Sequence, residues 1–363
     1  MFAFKNFLSS FVLCLSFLFS GNVSCKKVYM SEDLSDVNLA LTLSTNITIL
    51  IGSPDGDALS SAAALSKVLI SQGKNVEVIH NGIIDPKLKF KPDNLLVGQH
   101  NQKPDLLIAL DEAKKENLYW CENFDDVPLI KVDHHNVVDK FGEINLVDTD
   151  AAATCEVLID VLKIMNPAFI TNEIANYLAF GILCDTQGGE RGKLKDDANK
   201  ALSKLKELQV LSDEEISDLK KDYQEMMSLS TNEEVAFWNE LQETLNIDVN
   251  LAYIYMSFDT ITEGWHPINT WTRVLKKFSE LEMDDVRLRA FIFYVPEGKI
   301  WKDRKSGFNV SLRSTGDEAS RIADNLGGGG RGSVGGFFIE GEETEEVFEG
   351  VVDKVKEVLN KLD

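Results

Sequence analysis

The sequence predicts an α/β fold: a doubly wound parallel sheet, a helical connector and a smaller C-terminal α/β domain. Two observations predict it. Short apolar runs rich in β-branched residues alternate with segments of helical spacing in the first half of the chain. After a long, heavily charged helical stretch, a second set of strand-like runs begins.

The elements follow in order. "NITILIG" (46–52) is an apolar β-rich run, followed by the turn "SPDGD" and the helical pattern "ALSSAAALSKVLISQG", which Gly73 closes. "NVEVIHN" alternates as a strand; "DLLIALD" (105–111) and "VPLIKVD" (127–133) read as two more buried strands. Helical patterns run from about Ala152 to Ile164 and from Asn172 to Leu183, and a charged helical connector extends from Lys193 to Leu245. "LAYIYMSF", "VRLRAFIFYV" and "GFNVSLRS" are strands. "GDEASRIADNLGGGGRGSVGGFF" is a helix ending in glycines, and "EEVFEGVVDKVKEVLNKL" is a last amphipathic helix. The divisions expected are 1–25, 26–192, 193–245 and 246–363.

Residues 1–25, "MFAFKNFLSSFVLCLSFLFSGNVSC", carry one Lys, an apolar stretch from Phe7 to Phe19 and then small and polar residues. That is the layout of a secretory signal peptide, too short for a comfortable membrane span. Cys25 after Val23 and Ser24 resembles a lipoprotein cleavage site, with Asn22 off the pattern, so export with a lipid anchor at Cys25 is expected. The alternative is a cytoplasmic protein that starts at Met30. Cys121, Cys155 and Cys184 have no CxxC spacing and read as small buried hydrophobes, neither a disulfide framework nor a zinc site.

With 37 Lys and Arg against 59 Asp and Glu, the net charge is −22. That excludes a protein that coats duplex nucleic acid or anionic membrane, where cations must neutralise phosphates. A small anionic substrate remains open, since it needs only local cations or metal.

In an open parallel sheet, ligands gather beyond the carboxyl ends of the strands. Acid collects there: Asp55 and Asp57 after the first run, Asp111 after the second, Asp133 with His134 and His135 after the third, and Asp185 after "FGILCD". Carboxylates on one rim repel unless cations neutralise them. Hard carboxylates with imidazole suit Mn²⁺, Mg²⁺ or Fe²⁺. The D-G-D turn projects two carboxylates from one tight loop. In "VDHHN" one histidine ligates, the next faces substrate, and the aspartate orients an imidazole.

At these residues the chain resembles the DHH phosphoesterases. "PDGDALSSAAAL", Asp111, "VDHHN" and "GILCDT" are similar to the family's four motifs, in order. "FNVSLRS" with "RIADNLGGGGRGSVGGF" resembles the associated DHHA1 domain, so the likeness covers roughly residues 46 to 340. Within the family the chain is most like the nanoRNase branch, which degrades very short oligonucleotides and dephosphorylates phosphoadenosine phosphate.

The resemblance implies a two-metal site, usually manganese with magnesium as the alternative, on Asp55, Asp57, Asp111, His134 and Asp185. It implies hydrolysis by a metal-activated hydroxide, with Asp133 and His135 catalytic. It implies substrate contacts from Arg313, Ser314 and the loop Gly327, Gly328, Gly329, Gly330 and Arg331. The implied partner is a short oligonucleotide or small phosphorylated molecule bound by an oligoribonuclease-like enzyme; a homodimer is a further expectation. Two positions depart from the pattern. Ile51 stands where relatives have a His, leaving one metal position short of a ligand, and Arg331 stands where they have a His after the glycines. "QGGERG" also replaces an aromatic-containing segment. A pyrophosphatase or exopolyphosphatase and a non-catalytic nucleotide binder are the competing readings.

Structural roles are expected for His80, His100 and His266, a helix-start role for Glu112, and surface or strand-face roles for Arg287, Arg289 and Arg304. "TWTRVLKKF" is read as packing.

Overall fold

Strand β1, Asn46–Ile51, is the pivot of the first sheet. It pairs in parallel with β2 (Asn75–His80) on one side and β4 (Leu106–Leu110) on the other. β3 (Leu95–Val97) extends beyond β2; β5 (Leu129–Asp133) and β6 (Ile144–Val147) extend beyond β4, giving the order β3-β2-β1-β4-β5-β6, all parallel. The chain leaves β1 in one direction and returns to its other side, so the β1–β4 junction is the switch point where such sheets bind ligands. The computed structural model describes residues 31–362 apart from 81–83, 99–100, 102, 125, 136–138, 190–191, 258–266, 284 and 298–304. The leader with Cys25 and Met30, His100, His266 and Arg304, and the side chains of Cys121 and Arg331, lie outside the described residues.

Residues of β1, β4 and β5 alternate between the two faces of the sheet, and both faces are apolar. Ile47, Ile49, Ile51, Ile108, Leu110, Ile130 and Val132 join one large core. Leu50, Leu107, Ala109 and Leu129 join a smaller one, closed by Leu118 from the 3₁₀ segment Lys115–Phe124. The large core is covered by α1 (Ser31–Leu43), α2 (Gly56–Ser71), α3 (Thr154–Met165) and α4 (Asn172–Asp185). Asp55 caps α2, accepting from the backbone N–H of Asp57 (3.1 Å) and Ala58 (3.0 Å).

The connector is three helices: α5 (Gly192–Glu207), α6 (Asp213–Met226) and α7 (Asn232–Glu243). α6 and α7 begin with reciprocal capping boxes, Ser212 with Glu215 and Thr231 with Glu234. A second six-stranded sheet follows, ordered β11-β12-β10-β9-β8-β7, antiparallel except for β8–β9. Its strands are β7 (Leu245–Asp248), β8 (Leu251–Met256), β9 (Leu288–Val295), β10 (Gly307–Ser314), β11 (Gly329–Arg331) and β12 (Val334–Glu340). α8 (Pro267–Glu280) and α7 cover one face. α9 (Glu318–Asn325) and α10 (Glu345–Asn360) cover the other.

Several elements differ from the sequence-based expectation. The glycine-rich tail after α9 forms β11 and β12, where a Cβ on Gly328 would stand 2.1 Å from the Gly336 carbonyl oxygen and one on Gly335 2.2 Å from that of Ala319. Those glycines permit backbone to pack on backbone. Arg289 takes the strand-face alternative of its expectation: it stands in β9, buried, and donates from Nη2 to the Leu281 carbonyl (2.8 Å). Ile51, where relatives have a His, is wholly enclosed in the large core.

Candidate active site

The acid rim assembles at the carboxyl ends of β1, β4 and β5. Asp57 lies in the first turn of α2 and is fully buried. Its carboxylate accepts from the backbone N–H of Thr154 (2.6 Å) and Cys155 (3.1 Å). α3 has no side-chain cap of its own, so Asp57 supplies one from 97 residues away in sequence. Asp111 follows β4 with φ of 57°, in the left-handed region, which turns its side chain back over the strand ends. The Thr154 hydroxyl donates to Asp111 Oδ1 (2.9 Å). The helix expected over Asn172–Leu183 runs on through "FGILCD" to Asp185, so this carboxylate reaches the rim from the last turn of α4 and not from a strand end.

The two histidines have different settings. His134 Nδ1 lies 3.4 Å from the Ala151 carbonyl, an arrangement that places a proton on Nδ1 and turns Nε2 toward the carboxylates. Nε2 is buried without a hydrogen-bond partner, 2.9 Å from Asp185 Oδ2 and 3.5 Å from Asp111 Oδ1. His135 is the more exposed ring; its Nδ1 sits 2.7 Å from Asp133 Oδ1, which also accepts from the backbone N–H of His134 (2.8 Å) and His135 (3.2 Å). Asp133 is itself fully buried, with Lys131 Nζ 3.1 Å from its Oδ2.

Electrostatics mark the rim as short of positive charge. The Asp57 carboxyl is pushed well above its ordinary range by burial first, then by Asp111 and Asp185. Burial likewise raises Asp111, and the neighbouring carboxylates add to it. Asp55 has a solvent-facing side, yet lost hydration and the Asp111 and Asp185 charges push it up to about 8. For His134 burial opposes the charge, but Asp185, Asp111 and Asp57 outweigh it and hold the ring well above the ordinary imidazole value. His135 is raised to about 9: burial again opposes, and the Asp133 hydrogen bond wins. Asp133 moves the other way, because His135 and Lys131 outweigh its burial.

A divalent cation fits this donor set. Asp57, His134 and Asp185 bring ligand atoms within 4.8 Å of one another, as do Asp111, His134 and His135. The unpartnered Nε2 is aimed between carboxylates that need a counter-charge, and the donors are hard oxygen with imidazole. Asp55 stands in neither group; its Oδ1 caps α2, and the Asp111 and Asp185 charges act on the same carboxyl.

The rim opens into a cleft of about 310 Å³. Asp55 and Asp185 line one wall, Arg313 and Lys276 of the second sheet's unit another, and Tyr223, Met226 and Met227 of α6 and the turn after it provide an apolar surface. Arg313 donates from Nη1 to the Leu312 carbonyl (2.8 Å); burial lowers its guanidinium to about 10, still cationic near neutrality. Ser314 and the glycine run do not line the cleft. The Ser314 hydroxyl accepts from Ala319 N–H (3.1 Å) at the start of α9. Cys184, read as core, also lines the cleft, while Cys155 is buried.

Lys131 and Thr154 went unread in the sequence, and Lys276, within "TWTRVLKKF", was read as packing but lines the cleft. A lysine inside an otherwise apolar strand was a signal for the first, and Thr at a helix start for the second. Glu112 does serve a segment start, accepting from Lys114 N–H (3.1 Å) and Asn117 Nδ2 (2.6 Å).

Comparison with known proteins agrees with this geometry. Residues 46–182 match the family described as "DHH family, N-terminal domain". The chain is 26% identical over 321 residues to the bifunctional oligoribonuclease and PAP phosphatase NrnA of Thermus thermophilus, covering 85% of this chain and 88% of that one. It is 24% identical over 299 residues to the protein of the same description from Bacillus subtilis, covering 79% and 86%. A crystal structure of an exopolyphosphatase-related protein from Bacteroides fragilis superposes with a TM-score of 0.71 at 19% identity, over 93% of this chain and 99% of that one, a likeness of fold.

Proposed function

We propose that this chain, a DHH-family hydrolase of phosphoester bonds, acts on nucleotides and very short oligonucleotides with the help of a divalent cation, manganese in the first instance. The observation that carries the reading is one cleft lined on one wall by Asp55 and by Asp185, which also stands in the ligand group with Asp57 and His134, and on another by two cations, Arg313 and Lys276. The descriptions of the Thermus thermophilus and Bacillus subtilis relatives support the substrate class.

Asp57, Asp111, His134 and Asp185 would hold the metal, with Asp55 beside them. Such an ion lowers the pKa of a water molecule and offsets phosphoryl charge. The chain's own residues do the rest. Ala151 and Thr154 fix the orientations of His134 and Asp111. Arg313, whose fork matches phosphate oxygens, binds a substrate phosphate, and the apolar surface of Tyr223 and Met226 packs against a nucleoside. His135, tied through Nδ1 to Asp133, presents Nε2 to the scissile phosphate and gives a proton to the leaving oxygen.

The test is turnover of a ribodinucleotide, phosphoadenosine phosphate and pyrophosphate with Mn²⁺, in wild type, Asp111→Ala and Arg313→Ala. Asp111→Ala should abolish turnover of the first two. Arg313→Ala should raise KM roughly tenfold or more, the scale of a charge-assisted hydrogen bond, with unfolding unchanged. Preferential turnover of pyrophosphate, or full activity in Asp111→Ala, overturns the reading.

A further inference from the structure

Lys131 is among the largest wholly buried side chains of the molecule, and nothing in metal binding or substrate contact uses it. It lies in the middle of β5, on the same face as Asp133 two residues on. Its ammonium donates to the carbonyls of Ala113 (3.1 Å) and Asp139 (3.1 Å) and stands 3.1 Å from Asp133 Oδ2. The Phe141 ring closes the remaining side, its centroid 4.8 Å from Nζ.

Those three partners are the supports of the rim. Ala113 ends the turn that carries Asp111, the residue held at φ of 57°. Asp139 begins the return from the histidine loop. Asp133 holds both histidine N–H groups and the His135 ring through its other oxygen. A buried ammonium is costly unless all its protons are satisfied and a counter-ion is close. An apolar side chain would serve a sheet core better, so a purely structural role does not account for it.

We propose that Lys131 is a positioning residue: its ammonium clamps Asp133 so that Asp133 fixes the His135 ring, proton on Nδ1 and Nε2 toward the cleft. Lys131 acts through Asp133 and does not touch substrate. The inference rests on the reading of His135 as the group that faces the scissile phosphate. Swinging of that ring in the variant slows the chemical step and leaves substrate binding to Arg313 and Lys276.

The experiment is a four-member set in the full chain: wild type, Lys131→Met, Asp133→Asn and Lys131→Met/Asp133→Asn. Steady-state kinetics on a ribodinucleotide give kcat and KM, and long-range ¹H–¹⁵N spectra of the Mg²⁺-loaded proteins give the His135 tautomer. Lys131→Met should lower kcat by about 10–100-fold, the loss seen when a group behind an active-site ligand is removed, with KM within about twofold. In the Asp133→Asn background the same change should cost less than about threefold in kcat, since the residue it works through is already altered. The Nδ1–H signal of His135 should be present in wild type and lost or averaged in Lys131→Met. An unchanged kcat, an equal loss in both backgrounds, or an unaltered tautomer overturns the proposal. Should Lys131→Met not fold, the neutral double variant against Asp133→Asn still decides: a further loss above about tenfold means Lys131 acts by another route. If the wild type hydrolyses no phosphoester, the phosphoesterase reading fails, while the tautomer comparison still judges the clamp.

Discussion

Ile51 ends β1 beside His80 of β2 and is sealed in the same core as Ile49 and Leu59. An imidazole there would have no solvent and would leave a ring nitrogen unpaired in apolar surroundings, which costs about 1–3 kcal/mol. Ile51→His should therefore unfold at lower temperature than wild type, and Mn²⁺ should not close the gap, since the core position faces no ligand group. Thermal unfolding of both proteins with and without Mn²⁺ checks this; a metal-free variant as stable as wild type sinks it. The ligand-type residues at this scale were legible because each stands at the end of an apolar run, where an acid has no core function. Lys131 and Arg273 were not. The Lys131 ammonium meets main-chain carbonyls that no residue type advertises, and the acids that hold Arg273, Asp85 and Glu234, lie 188 and 39 residues away.

Helices α2 and α4 cross where both carry glycine. A Cβ on Gly56 would stand 2.3 Å from Cys184 Sγ and 2.6 Å from its Cβ, and one on Gly181 2.3 Å from Cys155 Sγ and 2.8 Å from Asp57 Oδ1. That close crossing sets the last turn of α4, with Asp185, over the first turn of α2, with Asp57. Two effects compete in Gly56→Ala. Helix propensity favours alanine by about 0.5–1 kcal/mol, while overpacking a tight contact costs about 1–3 kcal/mol. The contact is short enough for overpacking to win, so urea unfolding should show a less stable variant, and calorimetry a weaker Mn²⁺ affinity as Asp185 is displaced. A midpoint at or above wild type would refute the crossing as the constraint. Elements of this kind were readable where a capping side chain or an unbroken apolar run marks them, as for α2, β1, β4 and β5. The three residues of β3 and the four of β6 are too short to carry a period, and the helical pattern read over Asn172–Leu183 stops two residues short of the observed end of α4 at Asp185, where a polar residue breaks the apolar spacing.

Residues of both sheets' units line the cleft, and an ion network beside it ties the units. Arg273 of α8 is buried, donating from Nε to the Met226 carbonyl (2.6 Å) and from Nη1 to Glu234 Oε1 (2.8 Å), and it is paired through Nη2 with Asp85, which lines the cleft. Lys87 reaches the same Glu234 (3.1 Å) and the Ser228 carbonyl (2.8 Å). Glu234 is thus the junction between the loop after β2, the connector and the second sheet's helix. Burial alone would raise its carboxyl, but the N–H groups of Ser230 and Thr231, then Lys87 and Arg273, outweigh it and hold it at about 2. A folded-state value below the unfolded value of 4.5 means the charged form stabilises the fold: the contribution is complete above about pH 4.5 and fades as pH falls toward 2. The acid rim trends the opposite way in metal-free protein, since Asp55 is raised to about 8, so the useful quantity is the difference between two proteins that share the rim. Glu234→Gln keeps the shape and the cap but removes the charge. At pH 7 it should be less stable than wild type to urea, and the gap should shrink steadily from about pH 4.5 downward as wild-type Glu234 takes up its proton. Because Asp85 is then the one of its two carboxylate partners left to Arg273, KM for a ribodinucleotide should rise with kcat little changed, the mark of a cleft whose walls are less well held. A stability gap that stays constant from pH 7 to pH 3 would mean the network does not bind the two sheets together through that charge.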